Sequence, residues 1–334
     1  HSAEDAVAHR LVDEVRTLQG FLDTLHGKYA GGVVDDYGKP PSKSFSLLDL
    51  AKLFTEETPE SKRPTAPRIA LVPVIGPIAS GQRDEMSIGM EMVQADSLNQ
   101  TLSELGRDPS VKAVVLRIDS PGGSVVASDN VWHAVRRLAA VKPVVASMGD
   151  VAASGGYYIA AAAHEVLARP ETITGSIGVV GGKVVLDGAL AKLGIHTERL
   201  DTAKRSGLSS PFGPYDADGR QAIGALMQRA YDLFVGRVVE GRKMPRDKVL
   251  AAAEGRVWTG SQAVELGLID RLGGLGDALE RARDLAQQPA GIKIDIVPEP
   301  KNFLEMLSET LASPEALWPG RPILHHRLGR QALG

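Results

Sequence analysis

The chain contains no cysteine. That excludes disulfides, thiolate metal sites and a cysteine nucleophile. It also lacks a surplus of charge: 38 Lys and Arg stand against 41 Asp and Glu, leaving −3. There is thus no electrostatic case for nucleic acid as a partner. Long apolar runs are missing too. The uncharged stretches 151–163 and 172–182 are short and broken by glycine, so neither spans a bilayer. No leader-peptide pattern is visible. Aromatic residues make up only 4%, while glycine and alanine abound, which suits tightly packed parallel α/β layers. The eight histidines include none with an evident acidic orienter, so no Ser-His-Asp triad is assigned.

What is present is a globular composition, 43% apolar and 24% charged over 334 residues. That length allows one large domain or two. The most telling stretch is Gly149-Asp150-Val151-Ala152-Ala153-Ser154-Gly155-Gly156-Tyr157-Tyr158. The run Val144-Val145-Ala146-Ser147 before it reads as a core strand. Gly155 and Gly156 let the backbone bend sharply, and Ile159 to Ala163 reads as the continuing helix. Ser154 therefore sits at the start of a helix, as a nucleophile or as an ordinary helix cap.

A second turn has the same form. Ala113 to Ile118 is β-branched and strand-like, Asp119-Ser120-Pro121-Gly122-Gly123-Ser124 is a rigid turn, and Val131, Val135 and Leu138 then lie on one helix face. Two such turns on consecutive strands lie at one edge of a parallel sheet. A nucleophile beside donors aimed at a developing oxyanion is what acyl transfer requires.

These motifs resemble the signal peptide peptidase A family of bacterial serine–lysine peptidases. Thr172-Ile173-Thr174-Gly175-Ser176-Ile177-Gly178-Val179 matches a third motif of that family. Val257-Trp258-Thr259-Gly260 with Ala263 and Gly267-Leu268-Ile269-Asp270 matches a fourth. The resemblance runs from about Arg68 to Gln288. It implies an α/β fold, a Clp/crotonase-like spiral of ββα units with flanking helices. It also implies Ser154 as nucleophile, Gly122, Gly123 and Gly155 at the oxyanion and substrate, and Ser176 as the hydroxyl that orients a lysine amine. No metal and no organic cofactor are implied.

The lysine itself does not carry over cleanly. In single-repeat members it stands in a Tyr-Lys-x-x-x-x-Pro-like segment. Here the segment reads Ala203-Lys204-Arg205-Ser206-Gly207-Leu208-Ser209-Ser210-Pro211. Ser206 holds the slot, and Lys204 lies two residues off register; a two-residue slip in a strand restores the facing side, so Lys204 stays a candidate base. Meanwhile Ala6-Val7-Ala8-His9-Arg10-Leu11-Val12-Asp13-Glu14-Val15 aligns without gaps with Ala263 to Leu272. The chain thus reads as opening on the tail of a preceding copy of its own domain. Long members of the family take the lysine from their amino-terminal repeat, so the resemblance is to a carboxy-terminal half.

The organisation expected is a helical repeat tail at 1–30, a linker or strap at 31–67, the peptidase domain at 68–290 and a carboxy-terminal extension at 291–334. Helices are expected at 4–30, 94–105, 218–239 and 275–286, with Ile223, Met227, Ala230 and Phe234 facing inward on the third. Strand–helix alternation is expected to run to about residue 200. The resemblance implies a serine endopeptidase that degrades cleaved signal peptides and other apolar peptides, assembled as a ring or dome of identical subunits. It would be anchored, by a segment absent here, to the periplasmic side of a bacterial inner membrane. A catalytically silent assembly half and a crotonase-like acyl-CoA enzyme are the alternatives.

Overall fold

A computed structural model describes residues 3–29, 66–81, 92–203 and 205–298. Most of the expected strap, the last 36 residues and Lys204 therefore lie outside the described residues. Among those described, the elements are α1 (Ala3–Ala8), α2 (Leu18–Lys28), β1 (Arg68–Ile75), β2 (Ile78–Ala79), β3 (Val93–Gln94), α3 (Ala95–Arg107), β4 (Val111–Ser120), α4 (Val125–Ala139), β5 (Val144–Ala153), α5 (Gly155–Ala160), β6 (Glu165–Ala168), β7 (Ile173–Gly175), α6 (Asp187–Lys192), α7 (Ala217–Arg242), α8 (Arg246–Ala252), β8 (Val257–Thr259), α9 (Gly260–Glu265), β9 (Arg271–Leu272), α10 (Leu275–Leu285) and β10 (Lys293–Ile296).

The main sheet is parallel in the order β10-β1-β4-β5-β6-β9. Strand β5 changes partner along its length. Its first half pairs with β6 (Val145 opposite Glu165) and its last residues with β7 (Ala153 opposite Gly175). An antiparallel β8 closes the far side of β7. The sheet therefore splits and winds where β5 ends, which brings Ser154 and Ser176 out at one edge.

Both faces of the sheet are covered, which is why its central strands read as near-continuous apolar runs. Val114, Leu116 and Ile118 of β4 belong to the larger core, under α3, α4 and α5. Ala113 and Val115 point the other way, against Ala278 and Ala282 of α10. Helix α3 buries Leu98, Leu102 and Leu105, each contributing about 1.5–3 kcal/mol. Arg68 bridges Asp108 and Asp295, both at 2.9 Å, pinning β1 between its neighbours. Burial opposes ionisation of Asp108. The backbone and hydroxyl of Ser110, with Arg68, outweigh it and bring that carboxyl down to about 2.

Several sequence expectations are corrected. The helix expected over 4–30 is two helices with a turn between them, because Thr17 starts α2 by accepting from Gly20 N. Helix α5 stops at Ala160, where the chain tightens through Ala162 N to Ile159 O and Ala163 N to Ala160 O before β6. Between residues 176 and 216 the described chain holds only the short α6, which buries nothing. On α7 only Gly219, Phe234, Val235 and Val238 are buried. Ile223, Met227 and Ala230 are only partly covered. A capping box between Thr259 and Gln262 opens α9.

The aligned segments 6–15 and 263–272 share a turn. His9 N, Arg10 N and Leu11 N donate to the carbonyls of Asp5, Val7 and Ala6 at 2.9, 2.9 and 2.8 Å. The equivalent Leu266, Gly267 and Leu268 donate to Gln262, Val264 and Ala263 at 3.0, 3.1 and 2.8 Å. Arg10 takes φ 57° where Gly267 takes 75°. Leu268 and Ile269 are buried, at 0% and 2%, whereas Leu11 and Val12 stand 65% and 47% exposed.

Candidate functional site

Strands β4 and β5 finish side by side, Ser120 opposite Ala152. Their two exit turns touch. Gly122 and Gly123 adopt φ 99° and 155°, a conformation that favours glycine. A Cβ on Gly122 would lie 2.5 Å from Gly155 N and 2.8 Å from Ser154 Cβ, and one on Gly123 would lie 2.1 Å from Ile78 O. The close approach therefore depends on glycine at both places.

Hydrogen bonds decide which N–H groups face the site. Gly122 O accepts from Ile78 N at 2.8 Å, and Ser124 N donates to Ile78 O at 2.9 Å. Gly122 N is occupied by the Ser120 hydroxyl at 3.1 Å. Between them the exposed Gly123 keeps its N–H without a partner among the described residues. Of the two expected donors, only Gly123 can thus turn its N–H on a ligand.

Ser154 is held at φ 50°, ψ −118°, outside the regions comfortable for a residue with a Cβ. Its N–H donates to Gly175 O at 2.9 Å, and its carbonyl accepts from Tyr158 N at 2.8 Å. The side chain makes no cap bond to α5. The helix-cap reading of the sequence therefore fails. Main-chain bonds fix the residue, and the hydroxyl is left over.

Ser176 repeats the pattern. It too has φ 50°, and its N–H donates to Arg256 O at 2.7 Å. Thr174 Oγ1 ties the preceding strand to Ala152 O at 2.7 Å. Ser154 and Ser176 line one cleft of about 640 Å3, together with Gly123, Gly178, Met227, Tyr231 and Glu254. Sequence reasoning missed the far wall of this cleft. Met227 reads as a core position because its helical spacing is the same whether a face meets a core or a cleft.

No lysine and no histidine lines the cleft among the described residues. Ser206, in the lysine slot, bonds Asp201 and Ala203 O on an exposed turn. Lys183 Nζ donates to Ser210 O and sits 4.4 Å from the Tyr215 ring centroid. His133 is engaged by Arg237, and His164 Nδ1 accepts from Val144 N. Burial lowers both imidazoles below the ordinary histidine value.

The arrangement can present a hydroxyl and an N–H to one carbonyl, and among the described residues neither a lysine nor a histidine stands in the cleft to take the proton. Comparison with known proteins agrees with the chemistry. The model of peptidase family S49 matches residues 136–289. A candidate protease of Synechocystis sp. is 34% identical over 248 residues, 74% of this chain and 85% of that protein. The chain belongs to peptidase family S49. The resemblance of its motifs to signal peptide peptidase A members of S49 is thereby borne out.

Two further S49 relatives are longer. The chloroplastic serine protease SPPA of Arabidopsis thaliana is 38% identical over 69% of this chain and 34% of its own length. Protease 4 of Salmonella typhi is 33% identical over 95% of this chain and 49% of its own length. The chain thus spans a third to a half of these two relatives. Among solved structures, a membrane-bound stomatin-specific protease superposes with a TM-score of 0.44 at 13% identity, over 71% of this chain and 99% of that one. That likeness is too loose to build on. No helix among the described residues is long and apolar enough to cross a membrane.

Proposed function

We propose that this chain is the serine-bearing half of an S49 serine peptidase whose lysine comes from a preceding repeat. The observation that carries the reading is Ser154. It is strained, fixed by its main chain, free of any capping role, and open to a cleft beside an unpartnered Gly123 N–H. Residues 68–290 are the peptidase domain, 1–30 the tail of the earlier repeat and 31–67 the strap joining them. The shared hydrogen bonding of 6–15 and 263–272 supports that division.

In this reading a neutral lysine amine takes the Ser154 proton as Oγ attacks a peptide carbonyl. The Gly123 N–H receives the developing oxyanion, with Gly122 and Gly155 shaping the approach. The protonated amine then hands its proton to the leaving nitrogen, and water releases the acyl group by the reverse path. Ser176 holds the amine in line. The substrates are extended apolar peptides, cleaved signal peptides among them, laid beside the Gly123 edge. The subunits close into a ring or dome on the periplasmic side of the inner membrane.

The experiment is peptide hydrolysis by the full-length protein. Ser154→Ala is expected to lower kcat by about 1,000-fold or more. Ser176→Ala is expected to lower it by roughly 10- to 1,000-fold, and Lys204→Ala to change little. Near-parental turnover by pure Ser154→Ala overturns the reading. If Lys204→Ala is as inactive as Ser154→Ala, the base lies in this chain and the half-enzyme proposal falls.

A further inference from the structure

A second, much smaller hollow opens beside Ser154. Its walls are Val125, Gly155 and Gly178, and its floor is the rings of Tyr158 and Phe234. We propose that an ion-pair clamp between Asp129 of α4 and Arg237 of α7 fixes this floor, and that the floor restricts the residue on the acyl side of the cut to a small side chain. The inference rests on the reading of Ser154 as the nucleophile.

Size comes first. The hollow has about 10 Å3, room for roughly one water-sized group. A methyl group fits that space and an isobutyl group does not. The neck is equally tight, since a Cβ on Gly155 would lie 2.5 Å from Ser128 Oγ. The floor is dry and packed. Tyr158 and Phe234 are 2% and 3% exposed, and their rings stack with centroids 4.5 Å apart at 29°.

The clamp lies behind those rings. Tyr158 Oη donates to Asp129 Oδ1 at 2.8 Å, and Arg237 Nε donates to the same oxygen at 2.8 Å. The guanidinium also meets His133 Nε2 at 2.8 Å and lies 4.6 Å from the Trp132 ring centroid. Arg237 follows Phe234 by three residues, so the two share one face of α7. Tyr158 stands in the first turns after Ser154. One carboxylate thus sets both floor rings at once, one through its own hydroxyl and the other through its helix. Asp129 and Arg237 do not line the cleft or the hollow, so they are positioning residues.

The test uses the full-length protein and peptide boronates that differ only in the side chain next to boron: alanine, leucine or phenylalanine. Ser154 Oγ adds to boron with loss of its proton to the base, and no leaving group is needed. A misfit of one methylene in a fitted pocket costs about 10- to 200-fold. The parent is therefore expected to bind the alanine boronate at least about tenfold more tightly than the leucine one. Phe234→Leu should narrow that ratio about fivefold or more, and the milder Asp129→Asn, at a residue outside both the cleft and the hollow, about two- to fivefold with alanine affinity little changed. Equal affinity of the parent for alanine and leucine boronates overturns the size limit. An unchanged ratio in both folded variants overturns the role of floor and clamp. Failure of the parent to bind any of the three overturns the reading of Ser154, and this inference with it.

Discussion

At Ala263–Leu272 the chain ends a helix, turns through Gly267 in the left-handed region, and sends Leu268 and Ile269 into the core. At Ala6–Val15 it makes the same turn through Arg10 with the same three hydrogen bonds, and leaves Leu11 and Val12 in the open. Local sequence sets the geometry of a helix end, whereas burial depends on what is packed against it. In the second segment Asp270 goes further. It accepts from Val166 N at 2.7 Å and from both terminal nitrogens of Arg242, while Arg271 and Leu272 pair with β6. Asp13 stands at the matching place, exposed. Among the described residues nothing covers Leu11 and Val12 as the core covers Leu268 and Ile269.

The comparison is open to direct attack. Leu268→Ala should destabilise by about 2–5 kcal/mol through loss of a fully buried side chain. Leu11→Ala should cost under about 0.5 kcal/mol in this chain. Urea denaturation of both variants measures the pair. Equal costs here would mean that Leu11 is already covered. Repeating Leu11→Ala in the full-length protein sharpens the point: with a preceding repeat in place, its cost should rise toward that of Leu268→Ala.

A smaller contrast is expected at the aspartates. Asp270→Ala leaves Arg242, whose side chain is 6% exposed, without its partner. A cost of about 3 kcal/mol follows from stranding a buried charge. Asp13→Ala should be silent in the same denaturation assay. The smallest contrast concerns the turn itself. Gly267→Ala at φ 75° should cost about 1–2 kcal/mol. Arg10→Gly should relieve strain and slow amide exchange at Leu11, without moving the global transition. Faster exchange at Leu11 in that variant would show that its turn is not held as its copy is.

Much of this frame was legible in the sequence, and the physical reason is local. Strands β4 and β5 announce themselves because both faces are buried, so their residues are apolar almost without break. The Pro-Gly-Gly and Ser-Gly-Gly turns are legible because close contact between two main chains tolerates no Cβ. Ser154 followed from those turns, whereas Ser176 came only through the family resemblance. The far wall came from neither, since the helical period on α7 is blind to whether Met227 meets core or cleft. The capture of Gly122 N by Ser120 was hidden as well. It depends on a hydroxyl reaching forward over two residues, and serine before a turn carries no unique signature. The Asp129–Arg237 pair was invisible because its members are 108 residues apart and meet only once α7 has docked.

The Ser154 turn ends β5, the strand with the most neighbours, and the Ser176 turn ends β7, which pairs with it, while the facing α7 is buried mainly through Phe234, Val235 and Val238 in its second half. Opening of the outer wall and melting of the reactive edge are therefore separate events with separate free energies. Amide exchange should be slowest along β4 and β5 and fast across residues 180–215. A protease cutting within 180–215 would leave Ser154 and Ser176 where they are. Damage to this molecule should accordingly arrive first as lost grip on a ligand, and only later as a misplaced hydroxyl.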